Sequence, residues 1–147
     1  IRGDHDSGKR AAVSEIARWV KIGDSACALG DFSHALLGAF DAIAEPAGLA
    51  FSYLACGQLD SYQELMLPAE KLSRTIFEAP TGNYKAGLAF LSWLNGYQEN
   101  FMLVNHEEKS RDFNHYLRVV KLATEARVIT NASLASERLR VFLEGEI

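Results

Sequence analysis

His34-Ala35-Leu36-Leu37-Gly38-Ala39-Phe40 is the stretch on which the fold turns. A seven-residue apolar run has no periodicity that separates a buried strand from a buried helical turn, so both readings stand at this point. Immediately downstream the signals become helical. Pro46 suits the first turn of a helix, where its missing N–H is one of the donors a helix start leaves unpaired anyway. Residues 47–56 are small or apolar throughout and Gly57 is a natural stop, which predicts a short helix. Asp60 or Ser61 can cap a second, longer helix in which Tyr62, Leu65, Met66, Ala69, Leu72 and Ile76 recur at steps of three and four, the signature of one apolar face. Pro68 falls inside it and should kink it, because the ring removes a backbone donor and crowds the preceding turn.

Glu78-Ala79-Pro80-Thr81-Gly82-Asn83 interrupts the pattern, and residues 84–94 then read as a largely buried helix ending near Asn95-Gly96. In residues 97–109 the apolar Phe101 to Val104 give way to polar Asn105 to Lys109, and a turn is expected near Asn105. Ser110 or Asp112 can cap a helix carrying Phe113, Leu117, Val120 and Ala123. A last helix is expected from about 133 to 143, with Leu134, Leu139 and Phe142.

Upstream, Asp4 and Asp6 precede an Ala11, Val13, Ile16, Ala17 pattern that predicts a helix over the first twenty residues. Trp19-Val20-Lys21-Ile22-Gly23-Asp24 reads as a short strand, and the small residues to Gly30 as a loop. The chain is thus expected to be predominantly α-helical: one helix, one or two short strands, then five helices. An isolated strand pair is marginal in water, so the strands need neighbours from elsewhere. The chain begins at Ile1 and not at Met, which adds to the expectation of a fragment or trimmed product.

Composition narrows the function classes. At 147 residues with 48% hydrophobic and 23% charged side chains, the chain is globular and not disordered. The net charge of -4 comes from scattered acids, with no basic stripe interleaved with aromatics, which argues against a nucleic-acid partner. No apolar stretch reaches the roughly 18 residues that span a bilayer. Cys27 and Cys56 lie in small, apolar contexts and are expected as buried reduced thiols, pointing to a cytoplasmic location. Asn131-Ala132-Ser133 fits a glycosylation sequon, but with no secretory signal it carries little weight.

No Walker loop, GxGxxG, HExxH or CxxC occurs, and no cofactor is implied. His5, His34, His106 and His115 lack ligand-type spacing, so surface or hydrogen-bonded roles are expected and no metal site. Four residues are candidates for substrate binding. Lys21, between Val20 and Ile22, is where desolvation would lower a lysine pKa toward imine chemistry, although a strand-end lysine reaching water is the plainer reading. Asp24 ends that run in a position that a turn-forming Asp explains as well. Tyr84 and Lys85 open a helix whose backbone donors can attract an anion, with loop capping as the alternative. Trp93, Tyr97 and Phe101 have helical spacing and are read as core or subunit contact.

The ordered segment HALLGAFDAIAEPAGLAFSYLACGQLDSYQELMLPAEKLSRTIFEAPTGNYKAGLAFLSWLNG (34–96) resembles the C-terminal part of dihydrodipicolinate synthase and N-acetylneuraminate lyase relatives, closest to an uncharacterised bacterial branch. The carrying features are HALLGAF as a last barrel strand, PAGLAFSYLAC as a helix, the GQLD turn, the helix with Leu67-Pro68, the EAPTGN loop, and the helix opened by Tyr84-Lys85-Ala86-Gly87. VKIGDS resembles the penultimate strand, with the stretch up to Ser33 shortened against the family pattern. The resemblance implies an α/β fold. Residues 1–43 would be the last units of a (β/α)8 TIM barrel, and 44–147 a final barrel helix and a helical C-terminal extension. It also implies Schiff-base lyase chemistry on a keto acid. The imine-forming lysine and its tyrosine partner of those relatives have no matching positions in this chain, so no catalytic residue is assigned and the portion is expected to be inactive alone. A keto-acid substrate is expected only with the whole barrel, and self-association is expected in either case. The alternative is a self-sufficient helical interaction or oligomerisation module without catalysis. A third reading makes Lys21 the imine former of a minimal enzyme.

Overall fold

The structure, a computed structural model, describes residues 37–145. These form α1 (Leu37–Phe40), α2 (Ala44–Ala55), α3 (Leu59–Ile76), α4 (Tyr84–Leu94), α5 (Phe113–Glu125) and α6 (Ala132–Glu144), with 3-10 turns at Thr81–Asn83 and Val104–Ser110. No strand and no sheet occurs among the described residues, which overturns the expectation of an α/β chain contributing staves to a barrel. The expected strand at 19–24 and the helix before it lie outside the described residues.

The HALLGAF run shows why. It contains no β-branched residue, and its leucines and alanines favour helix. Its last residues complete a helical turn, and the Phe40 carbonyl accepts from the Ile43 N–H at 3.0 Å, so this polar group is satisfied locally without a neighbouring strand. Gly38 lies close enough to Tyr84 that a Cβ there would meet the ring at 3.4 Å. The Phe40 ring lies 6.0 Å from Phe51 of α2, which is 6.5 Å from Tyr62 of α3. Ile43, which follows α1, is fully buried.

α2 begins two residues earlier than predicted and holds Pro46 in its first turn; Gly57, at φ 72°, follows its end. Cys56 caps it as a free but exposed thiol, correcting the expectation of burial: the helix ends there and the side chain has no layer above it. Cys27 lies outside the described residues. α3 starts at Leu59 behind Gln58, so Asp60 sits within its first turn and is not the cap. Tyr62, Met66, Ala69, Leu72 and Ile76 are all fully buried, as their spacing requires. Burying such a large apolar side chain contributes roughly 1.5–3 kcal/mol. α3 runs through Pro68 as a single helix.

α4 has the predicted limits and buries Ala86, Gly87, Phe90, Leu91, Trp93 and Leu94. Phe90 is the hub of an aromatic cluster, with ring centroids 5.2 Å from Phe101, 4.6 Å from Tyr116 and 5.1 Å from Phe142. α5 turns inward a face that only partly matches the one expected: Ala123 is buried as expected, but its first turn is rotated. His115, Tyr116, Val119 and Ala123 are buried, whereas Phe113 is exposed and Leu117 and Val120 are half-buried. α6 is capped by Asn131, whose side chain accepts from the Leu134 N–H at 3.1 Å. It docks edge-on: only Ala135 is buried, while Arg138 lies over the Trp93 ring at 5.6 Å and donates to the Trp93 and Gln98 carbonyls. Asn95 ties the end of α4 to the α5–α6 connection, donating to the Val128 carbonyl at 3.0 Å and accepting from the Thr130 N–H at 2.9 Å. No helix among the described residues is long and apolar enough to cross a membrane.

Candidate functional site

A helix end leaves its last carbonyls without partners, and α3 ends inside the protein, where water cannot serve them. Arg111 does so. Its guanidinium donates to the carbonyls of Ile76 (3.3 Å), Glu78 (2.8 Å), Ala79 (3.2 Å) and Pro80 (3.1 Å) across a segment that includes the cis Ala79–Pro80 bond. The side chain is 8% exposed, and its Nε–H has no acceptor. Burial holds its pKa below the usual arginine value, partly offset by the nearby Glu78 charge. A cation at a helix C-terminus also meets the negative end of the helix dipole.

Asp112, the next residue, caps α5 by accepting from the His115 N–H at 2.6 Å. That cap places His115, 1% exposed, over the same loop, with Nδ1 2.7 Å from Glu78 Oε1. Arg118, one turn along α5, pairs with the same oxygen. Burial favours the neutral form of Glu78. The His115 hydrogen bond and the Arg118 charge outweigh it and hold the carboxyl below its usual range. Burial likewise lowers the His115 pKa, outweighing the Glu78 hydrogen bond and reinforced by the Arg111 charge. His115 is therefore neutral near pH 7, donating from Nδ1 to an ionised Glu78. Its Nε2 has no partner and faces Gly87, where a Cβ would stand 3.6 Å away. The pair has the form of a carboxylate–histidine dyad, but the nitrogen that would take a substrate proton is enclosed by α4.

On the other side of Arg111 a cleft of about 400 Å³ opens, walled by Phe101, Met102, Phe113, Tyr116 and Phe142. Its polar groups are His106, Glu108, Lys109 and Arg111. Glu108 accepts from the Leu103 N–H at 2.9 Å and lies 3.1 Å from His106 Nδ1; the Leu103 bond is the main reason its carboxyl stays ionised below the ordinary range. The Tyr116 hydroxyl donates to the Glu108 carbonyl, and burial pushes its pKa up to about 12. Asn105 and His106, at φ 59° and 57°, form the turn expected near Asn105.

Of the sequence candidates, Lys21 and Asp24 lie outside the described residues. Tyr84 is half-buried and stacked on Phe77 at 4.6 Å, and Lys85 is exposed on the first turn of α4. They stand side by side in sequence but do not line the cleft. His5 and His34 also lie outside the described residues, and among those described no cluster of three His, Cys, Asp or Glu could hold a metal ion. Trp93 and Phe101 are core, while Tyr97 is exposed with its hydroxyl 3.4 Å from Thr130 Oγ1. Sequence reasoning missed Arg111 and Glu78; for His115 it expected only a surface or hydrogen-bonded role, and the hydrogen-bonded one is present. The available signal was weak: a histidine four residues before Val119 and eight before Ala123, on the stripe that proves to be buried.

A family model described as protein of unknown function (DUF993) matches residues 20–146, and the chain belongs to that family. No curated protein matches the chain.

Proposed function

We propose that this member of DUF993 carries a self-contained helical association module, without catalytic groups of its own, within a protein that resembles the keto-acid lyases. The observation that carries the module reading is the core. One cluster of buried side chains, from Ile43 to Ala135, is assembled by α2 to α6 with their connections. Its buried polar groups hold the structure together: Arg111 serves carbonyls, and the proton-accepting nitrogen of His115 is enclosed. Large apolar side chains that do not line the cleft, Leu49, Leu67 and Val104, are 50%, 47% and 81% exposed and are the places a partner or second copy would cover. The link to Schiff-base lyases of the dihydrodipicolinate synthase and N-acetylneuraminate lyase kind is supported by order. The helix with Leu67-Pro68, the EAPTGN loop and the helix opened by Tyr84-Lys85 follow one another as that resemblance anticipates. In this reading the imine-forming lysine and the keto-acid pocket belong to the catalytic part of such a protein.

Two experiments test it. Sedimentation of the chain at about 100 μM should show self-association; a compact monomer would count against the association role. Borohydride treatment with pyruvate should leave the mass unchanged, whereas a stable adduct lost in Lys21→Ala would show an imine-forming enzyme instead.

A further inference from the structure

We propose that the cleft between residues 101–113 and α6 binds a small carboxylate with an apolar or aromatic body. The inference goes beyond the module reading and stands independently of it. A volume of about 400 Å³ falls within the roughly 300–1,000 Å³ of small-molecule sites, which combine apolar walls with a few polar groups. The walls are of that kind. Phe113 and Phe142 stack 5.2 Å apart and 11° from parallel, and Met102 and Phe113 remain 63% and 47% exposed at one opening.

Charge decides which end of a ligand the cleft favours. Two cations, Arg111 and Lys109, face one carboxylate, Glu108, and that carboxylate is already engaged by the Leu103 N–H and His106. Arg111 is more than nine-tenths buried and lines the cleft, and among the described residues no carboxylate pairs with it, so its charge is met by carbonyl dipoles alone. Glu78, the acid nearest to it in charge, is held by His115 and Arg118. Lys109 is exposed and forms no ion pair among the described residues. Among the groups that line the cleft the cations outnumber the carboxylate, and beside apolar walls they attract a carboxylate more strongly than in open water. The left-handed backbone at Asn105 and His106, which non-glycine residues adopt at a cost, holds His106 at this mouth.

The test uses the full chain and three probes: 3-phenylpropanoate, its uncharged amide 3-phenylpropanamide, and acetate. Titration followed by backbone NMR should show phenylpropanoate shifting amides of residues 101–113 and 142, with both other probes at least tenfold weaker. Lys109→Glu, at an exposed position, should weaken phenylpropanoate at least tenfold and leave thermal unfolding unchanged. Equal binding of acid and amide, shifts confined elsewhere, or an unchanged affinity in Lys109→Glu would overturn the proposal. So would capture of an acidic phenylalanine-containing peptide without the free acid, which would make the cleft a protein-docking groove.

Discussion

The two sides of Arg111 are built on opposite terms. Toward the end of α3, a buried arginine, four carbonyls, a buried neutral histidine and a half-buried ionised glutamate form one hydrogen-bonded network that reaches the surface at Ala79 and Pro80. Toward α6, Met102 and Phe113 stand exposed at a cleft whose inner wall is the buried Phe101 and Tyr116. The networked side does the work of joining helices: Glu78 and His115 are 37 positions apart and fix α5 against the α3–α4 loop. The exposed rim, Met102 and Phe113, buries little surface and so adds little to stability, which is what a surface kept for a ligand or partner requires. A buried network of this kind is costly to open partway, because each group left behind loses its partner without regaining water.

The comparison can be broken most severely at Arg111. Arg111→Ala strips four carbonyls of their donor, that of Ile76 fully buried, and should cost about 3 kcal/mol in urea unfolding. Next comes Gly87→Val, which pushes a branched side chain toward Ile76, where a Cβ alone would already stand 3.3 Å away, and toward His115; overpacking there should cost about 1–3 kcal/mol. Phe113→Ala, on the open side, should cost less than about 1 kcal/mol by the same measurement, despite the size of the side chain. A Phe113 effect as large as the Arg111 effect would erase the distinction.

Acid sharpens the same contrast. The His115 pKa is lowered in the folded chain, so between that value and the ordinary 6.5 the unfolded state binds more protons. Stability must therefore fall as pH drops through about 6.5, and fall further below the ordinary glutamate range as Glu78 is protonated. His115→Gln should flatten the limb between pH 7 and 5, whereas Phe113→Ala should leave its slope unchanged. Thermal melts across that range decide it.

Much of the fold was legible because it is local. Residues 84–94 carry a helix whose limits are marked by an Asn-containing loop and Asn95-Gly96, and the structure has those limits. Asp112 as a cap and a turn at Asn105 are short-range chemistry, and both are present. Three features were not legible. HALLGAF is too short to carry a period, and its likeness to a barrel strand misled where its composition, free of β-branched residues, pointed to helix. The first turn of α5 was misassigned because Phe113 outranks His115 in hydrophobicity, although the cap at Asp112 and the bond to Glu78 turn His115 inward. The site was the least legible: Tyr84 and Lys85 were named for their place at a helix start, but Arg111 gains its role from carbonyls 31 to 35 residues away. No spacing rule reaches that far.

The central claim is that the helices after residue 36 close their own core. Its most direct test is urea unfolding of the full chain beside a chain that begins at Leu37. The account predicts a single cooperative transition in both, with stabilities within about 1 kcal/mol. A shortened chain that unfolds without a cooperative transition, or loses most of its stability, would contradict it.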